Sequence, residues 1–304
     1  MRRPFDYAQG DSVSPCVRMT GLMGSFTKSD FTEMELHMKK RCLIMALALA
    51  LGLLSGCAPK QTVSYGPTDK LTGSELFVTP VENLPEDFIF GMDASQVPAL
   101  EASGVKYYDY EGKEQDVFLT LAQSGINYIR VRVWNDPFDE KGNGYGGGNC
   151  NIDTALAIGK RATQYGMQLL VNFHYSDFWA DPGKQMVPKA WKGMDMEEKT
   201  QALYPYTLES LQKLKAAGVA VGMVQVGNET TGGMAGETDW KHITTLMSAG
   251  AKAVREVFPE AKVAIHFANP EKAGSYSDYA KRLDYYQVDY DVFASSYYPF
   301  WHGT

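Results

Sequence analysis

Positive charge, cysteine and long apolar runs are all scarce in this chain, and each shortage removes a class of function. There are 29 Lys and Arg against 36 Asp and Glu, giving a formal net charge of −7. No basic stripe exists to neutralise phosphates, which excludes broad nucleic-acid binding. The cysteines number four in 304 residues. Cys16, Cys42 and Cys57 fall in the amino-terminal part and Cys150 stands alone, so no disulfide framework or cysteine metal site can be drawn. The five histidines form neither H-E-x-x-H nor another zinc spacing, and no metal site is expected. No G-x-G-x-x-G follows the first strand-like run, so the dinucleotide fingerprint is missing. The stretch GNGYGGG at 142–148 lacks the Lys-Ser/Thr of a P-loop and reads as a flexible loop over a groove.

The sustained apolar run, residues 42–54, is too short to span a bilayer comfortably. Met38, Lys39, Lys40 and Arg41 precede it, and Leu54-Ser55-Gly56-Cys57 closes it. A basic n-region, a short h-region and small residues before a cut site make a secretory signal. A core helix would leave the basic cluster unexplained. The ending resembles a bacterial lipoprotein signal, in which Cys57 becomes the acylated first residue. Residues 38–57 are therefore expected to export the chain and anchor it to a membrane, at the cell surface or in the periplasm. Signals begin at a start, so residues 1–37 read as an unstructured, misassigned upstream extension ahead of the true initiator, Met38. Residues 58–84, rich in Pro, Thr, Gly and Ser, read as a flexible tether.

Beyond the tether, strand and helix patterns alternate. Strand-like runs cover 88–93, 128–134, 168–173, 222–226, 262–267 and 291–296. Helical runs cover 114–124, 153–165, 197–217, 239–257 and 276–286, with Asp153 expected as a helix cap. Such alternation predicts an α/β fold with a parallel sheet under covering helices. A doubly wound sheet and a TIM (β/α)8 barrel share the pattern. Polar and aromatic residues gather at the carboxyl ends of the strands: Asp93, Asn135, His174, Asn228 with Glu229, Asn269, and Tyr297 with Tyr298. Barrel enzymes build their sites there. A barrel over 85–304 is expected, incomplete at about six of eight β/α units and C-terminally truncated.

Glu229 follows Asn228 at the tip of the fourth strand-like run. A carboxyl shielded from water at a strand tip holds its proton to higher pH and can protonate a leaving group near neutrality. Arg130 and Arg132 share one side of their strand, since side chains alternate with period two. Two arginines inside a barrel are costly without partners, so they point to a site. The aromatic content of 12% supplies rings for a core or for stacking on sugars.

Five ordered blocks carry a resemblance: FGMDAS (90–95), YIRVRVWNDP (128–137), VNFHYSDFWADP (171–182), QVGNE (225–229) and SSYYPFW (295–301). Together they resemble family 53 glycoside hydrolases, the arabinogalactan endo-β-1,4-galactanases, from about residue 85 to the last. The resemblance implies a retaining (β/α)8 glycosidase that cuts galactan or arabinogalactan internally. It makes Glu229 the acid/base and places the nucleophilic glutamate on a seventh strand that this chain does not reach. It also implies substrate contacts from Asp93, Arg130, Trp134, Asn135, His174, Asp177, Trp179, Asn228, Tyr297 and Trp301. Arg130 would bond the nucleophile, Tyr297 would be the strand-six aromatic beside it, and Trp134, Trp179 and Trp301 would stack on galactosyl rings. No cofactor is implied, and calcium only in later loops. A mannanase or β-galactosidase of the same clan, or a glycan-binding protein that has lost catalysis, are the alternatives. A barrel aldolase is disfavoured, because no lysine stands at a strand tip. Without the last strands, the chain by itself is expected to be inactive and prone to aggregate.

Overall fold

The computed structural model describes residues 81–303. The upstream extension, the signal with Cys57, most of the tether and Thr304 lie outside the described residues. Six strands pair in parallel: β1 (Gly91–Asp93), β2 (Tyr128–Val133), β3 (Gln168–Phe173), β4 (Val221–Val226), β5 (Lys262–Phe267) and β6 (Val292–Ser295). Their spatial order is their chain order. A doubly wound sheet reverses its order partway. This sheet does not, so its six β/α units are wound as in a (β/α)8 barrel. Among the described residues no helix is long and apolar enough to cross a membrane.

The intervening helices are α1 (Val97–Ala102), α2 (Val117–Gln123), α3 (Ile152–Gln164), α4 (Met196–Ala216), α5 (Trp240–Val257) and α6 (Ser275–Tyr285), with α7 (Pro299–His302) after β6. Their starts are chemically marked. Asp116 accepts from the Phe118 N–H at 2.8 Å, Asp195 and Glu198 form a reciprocal capping box, and Asp239 caps α5. The cap of α3 is Asn151, which accepts from the Asp153 and Thr154 N–H groups. Asp153, expected in that role, lies within the first turn and pairs there with Lys213. Asn151 has the extended backbone a cap requires, whereas Asp153 is already helical.

The first strand is shorter than the apolar run that predicted it. The Phe88 N–H turns back to the Pro85 carbonyl, and Phe88 and Phe90 are exposed, so regular pairing begins at Gly91. Three further elements went unanticipated: α1, α7 and a 3-10 turn at Lys189–Trp191. α1 and the turn bury one residue each and α7 none, so they leave no periodic signal.

The strands separate two environments by simple alternation. Ile129, Val131, Val133, Leu169, Val171, Phe173, Val224, Val226, Val263, Ile265 and Phe267 are 0% exposed. They pack with Ala155, Ile158, Leu203, Leu211, Leu246 and Met247 of the helices. Each large side chain so buried contributes about 1.5–3 kcal/mol. The approach is close. A Cβ at Gly250 of α5 would lie 2.6 Å from Val226 Cγ1 and 2.9 Å from the Tyr175 hydroxyl. The alternate residues, facing the other way, are polar toward the carboxyl ends. Arg132, Asn172 and Gln225 are direct neighbours across β2, β3 and β4.

Candidate active site

Asp93 ends β1, and its register partner on β2 is Arg130. Arg130 pairs with Asp93 at 2.8 Å, and Arg132 reaches the same carboxylate at 3.7 Å. The two arginines expected inside the barrel thus share one counter-ion. Arg130 also donates to Asn228 Oδ1 at 3.0 Å and Gln225 Oε1 at 3.4 Å. Arg132 is buried, and burial lowers its pKa while Asp93 opposes the shift. Its guanidinium lies 4.2 Å from the centre of the Trp179 ring and donates to the Gly147 carbonyl at 3.0 Å. That contact ties the glycine-rich stretch down onto the strand tips.

Asn228 and Glu229 leave β4 on a sharp turn. Gly227 has φ +89° and Glu229 itself has φ +48°, a left-handed conformation uncommon for a residue with a side chain. Four contacts sustain it. Asn228 Nδ2 donates to the Ala180 carbonyl at 2.8 Å, and Gln185 Nε2 donates to the carbonyls of Asn228 at 2.8 Å and Glu229 at 3.2 Å. The Glu229 N–H donates to His266 Nδ1 at 3.1 Å. The Glu229 carboxylate accepts from Ser296 Oγ, just past β6, at 2.5 Å. Glu229 is half-buried at the open end of the strands.

Several residues expected to touch a sugar are instead occupied by protein. Asn228 Oδ1 accepts from Arg130, Gln225 and Asn172, so both ends of its amide are engaged and it supports Glu229. Trp134 is 0% exposed, enclosed by Phe178 at 4.9 Å, Trp179 at 5.4 Å and His174 at 6.1 Å. It offers no face for stacking, because the loop carrying Gly147 closes over it. His174 is buried and held well below the usual histidine range, first by burial and then by Arg130. Its Nδ1 accepts from the Ala180 N–H at 3.1 Å. Asp177 accepts from the N–H groups of Asp136 and Lys189 and so staples two loops; burial raises its pKa. Asn135 differs: its backbone N–H donates to the Ser176 carbonyl, while its side-chain Oδ1 is buried without a protein partner.

Trp179 is half-buried, and Tyr297 and Trp301 are 52% and 72% exposed. The Tyr297 hydroxyl donates to the Gly303 carbonyl, and Trp301 meets Phe300 edge to face at 4.7 Å. The structure therefore brings Asp93, Arg130, Asn228 and Glu229 into one network, with His174 and Trp179 beside it. It leaves Tyr297 and Trp301 outside that network. Gln185, Gln225, His266 and Ser296 belong to it without having been anticipated. The first signal for two of them is a polar residue set in an apolar run near the strand tip, Gln225 in VGMVQV and His266 in KVAIHF. Among the described residues no group of three or more His, Cys, Asp or Glu side chains is placed to hold a metal ion.

Comparison with known proteins fits this geometry. The family model for glycosyl hydrolase family 53 matches residues 89–304. An endo-beta-1,4-galactanase of Bacillus subtilis is 59% identical over 235 residues, 77% of this chain and 55% of its own length. An arabinogalactan endo-beta-1,4-galactanase of Humicola insolens is 34% identical, over 70% of this chain and 65% of its own length. Among solved structures, the family 53 catalytic domain of Ignisphaera aggregans superposes with a TM-score of 0.72 at 42% identity, covering 75% of this chain and 64% of that one. The chain thus spans between about half and two thirds of the length of these relatives.

Proposed function

Since the chain belongs to glycosyl hydrolase family 53, we propose that the protein carrying it cuts internal β-1,4-galactosidic linkages of galactan or arabinogalactan with retention, using Glu229 as acid and then base. The observation that carries this reading is the seating of Glu229. A single carboxyl group projects from a strained turn at the end of β4 and is gripped at its N–H, its carbonyl and its carboxylate. A proton donor that must meet one glycosidic oxygen needs such fixity. The galactanase names of the Bacillus and Humicola relatives supply the substrate class.

In a retaining hydrolysis one carboxylic acid protonates the leaving oxygen while a carboxylate attacks the anomeric carbon; the first group then takes a proton from water. The family resemblance places the nucleophilic glutamate on a seventh strand, so no described residue is assigned the nucleophile's part. Arg130, with its fork between Asp93 and Asn228, would order the strand tips around the reacting centre. Trp179, Tyr297 and Trp301 retain exposed ring surface for galactosyl units. Export, with acylation of Cys57 and anchorage at the cell surface or in the periplasm, is part of the same proposal, supported by the basic cluster at 39–41 and the ending at 54–57. Incorporation of labelled fatty acid that persists in Cys57→Ser would refute the anchor.

The decisive experiment compares the full-length protein with its Glu229→Gln variant on linear β-1,4-galactan, following release of short oligosaccharides. Release by wild type and a loss of about 10²- to 10⁴-fold in the variant is expected. Wild type that binds galactan without releasing oligosaccharides would make the protein a glycan-binding one.

A further inference from the structure

Three hydrogen bonds leave Glu229 and return to it. Its backbone N–H donates to His266 Nδ1 at 3.1 Å. The other ring nitrogen, Nε2, lies 3.0 Å from Ser296 Oγ, and Ser296 Oγ lies 2.5 Å from Glu229 Oε1. The direction of every bond in this ring follows from its first member. Nδ1 faces two donors, the Glu229 N–H and Gln225 Nε2 at 3.0 Å, so it carries no proton and acts as the acceptor. A neutral imidazole must then hold its proton on Nε2, which donates to Ser296 Oγ. The serine proton is left to point at Glu229 Oε1. Burial, and after it the Arg130 guanidinium, push His266 down to about 3, so the ring stays neutral at ordinary pH. Ser296 is itself fixed, because its N–H donates to the Phe267 carbonyl at 2.9 Å.

We propose that His266 and Ser296 are positioning residues for Glu229: they lock its carboxyl group in one rotamer by anchoring Oε1, and so appoint Oε2 as the oxygen that passes the proton. The proposal rests on the acid/base reading of Glu229. Its physical content is that a carboxyl group has two equivalent oxygens and several rotamers. A donor fixed to one oxygen removes the choice. His266 is not a proton source in this scheme, since its one proton is spent orienting the serine.

The test uses the full-length protein, Ser296→Ala and Glu229→Gln with two aryl β-1,4-galactobiosides, one with a phenol leaving group and one with 2,4-dinitrophenol. Phenol needs protonation to depart and dinitrophenol does not. Loss of one positioning hydrogen bond should lower kcat/KM of Ser296→Ala about tenfold on the phenyl substrate, with less than about a threefold fall on the dinitrophenyl one. Equal losses on both substrates would make Ser296 a general support of the fold and overturn the proposal. Glu229→Gln separates this from failure of the underlying reading. If that variant too shows no dependence on leaving group, Glu229 is not the acid. The ring is then judged by the ¹⁵N signals of His266 alone: protonated Nε2 with bare Nδ1 sustains it, and protonated Nδ1 overturns it.

Discussion

The two faces of the same six strands are built on opposite terms. The face toward the helices is apolar, closely packed and fully dehydrated, and gains stability from each residue added to it. The inward face near the strand tips holds Asp93, two arginines, Asn172, Gln225 and His266 in mutual hydrogen bonds. It is not fully satisfied: Arg132 Nε and Asn172 Oδ1 are buried without a protein partner. Each such group costs about 1–3 kcal/mol if no solvent reaches it. One face holds the fold together and the other draws on that stability to hold charge in place, as functional sites commonly do.

Substitutions of graded severity can break or sharpen this contrast. The largest effect is expected at Phe173, fully buried against the helices and stacked on Tyr175 at 5.5 Å. Phe173→Ala should cost about 3–5 kcal/mol of stability, read from urea unfolding midpoints. A cost below about 1 kcal/mol would mean the outer face is not the main source of stability. Next comes acid. His266 is held at about 3 in the fold against about 6.5 in an unfolded chain. Above pH 6.5 both states are neutral there and it has no effect. Between about 6.5 and 3 only the unfolded state takes up the proton, so stability falls by at most about 1.4 kcal/mol per pH unit for this group, and levels off below 3. His174 is shifted in the same direction and adds to the slope. Replacing His266 with Asn should flatten the decline in unfolding measurements across that range. Smallest is a surface pair outside both faces: Asp278→Ala removes the i,i+4 partner of Arg282 on α6 and should change stability by less than about 0.5 kcal/mol.

The same contrast explains what could be read ahead of the structure. The outer face announces itself through alternating β-branched residues and helices with local caps, because the causes lie within a few positions of their effects. The inner face does not. Gln225 and His266 are isolated polar residues near the tips of apolar strands, and these bonds to Arg130, Glu229 and each other span 37 to 95 positions. Ser296 has no local signature at all. The place of Trp134 after β2 suits a stacking platform; the loop that covers it at Gly147 is invisible to strand periodicity. Asp93, Arg130, Asn228 and Glu229 come together because strand ends in this architecture converge, whatever their separation in sequence.

The hydrogen bond from Ser296 to Glu229 spans 67 positions of chain, and that distance is also a delay. Synthesis adds about 5–20 residues per second, so Glu229 is made roughly 3 to 13 seconds before the serine that steadies it. Through that interval the carboxyl group lacks the hydroxyl that anchors it. Only when the sixth strand docks does the Ser296 hydroxyl reach Glu229 Oε1.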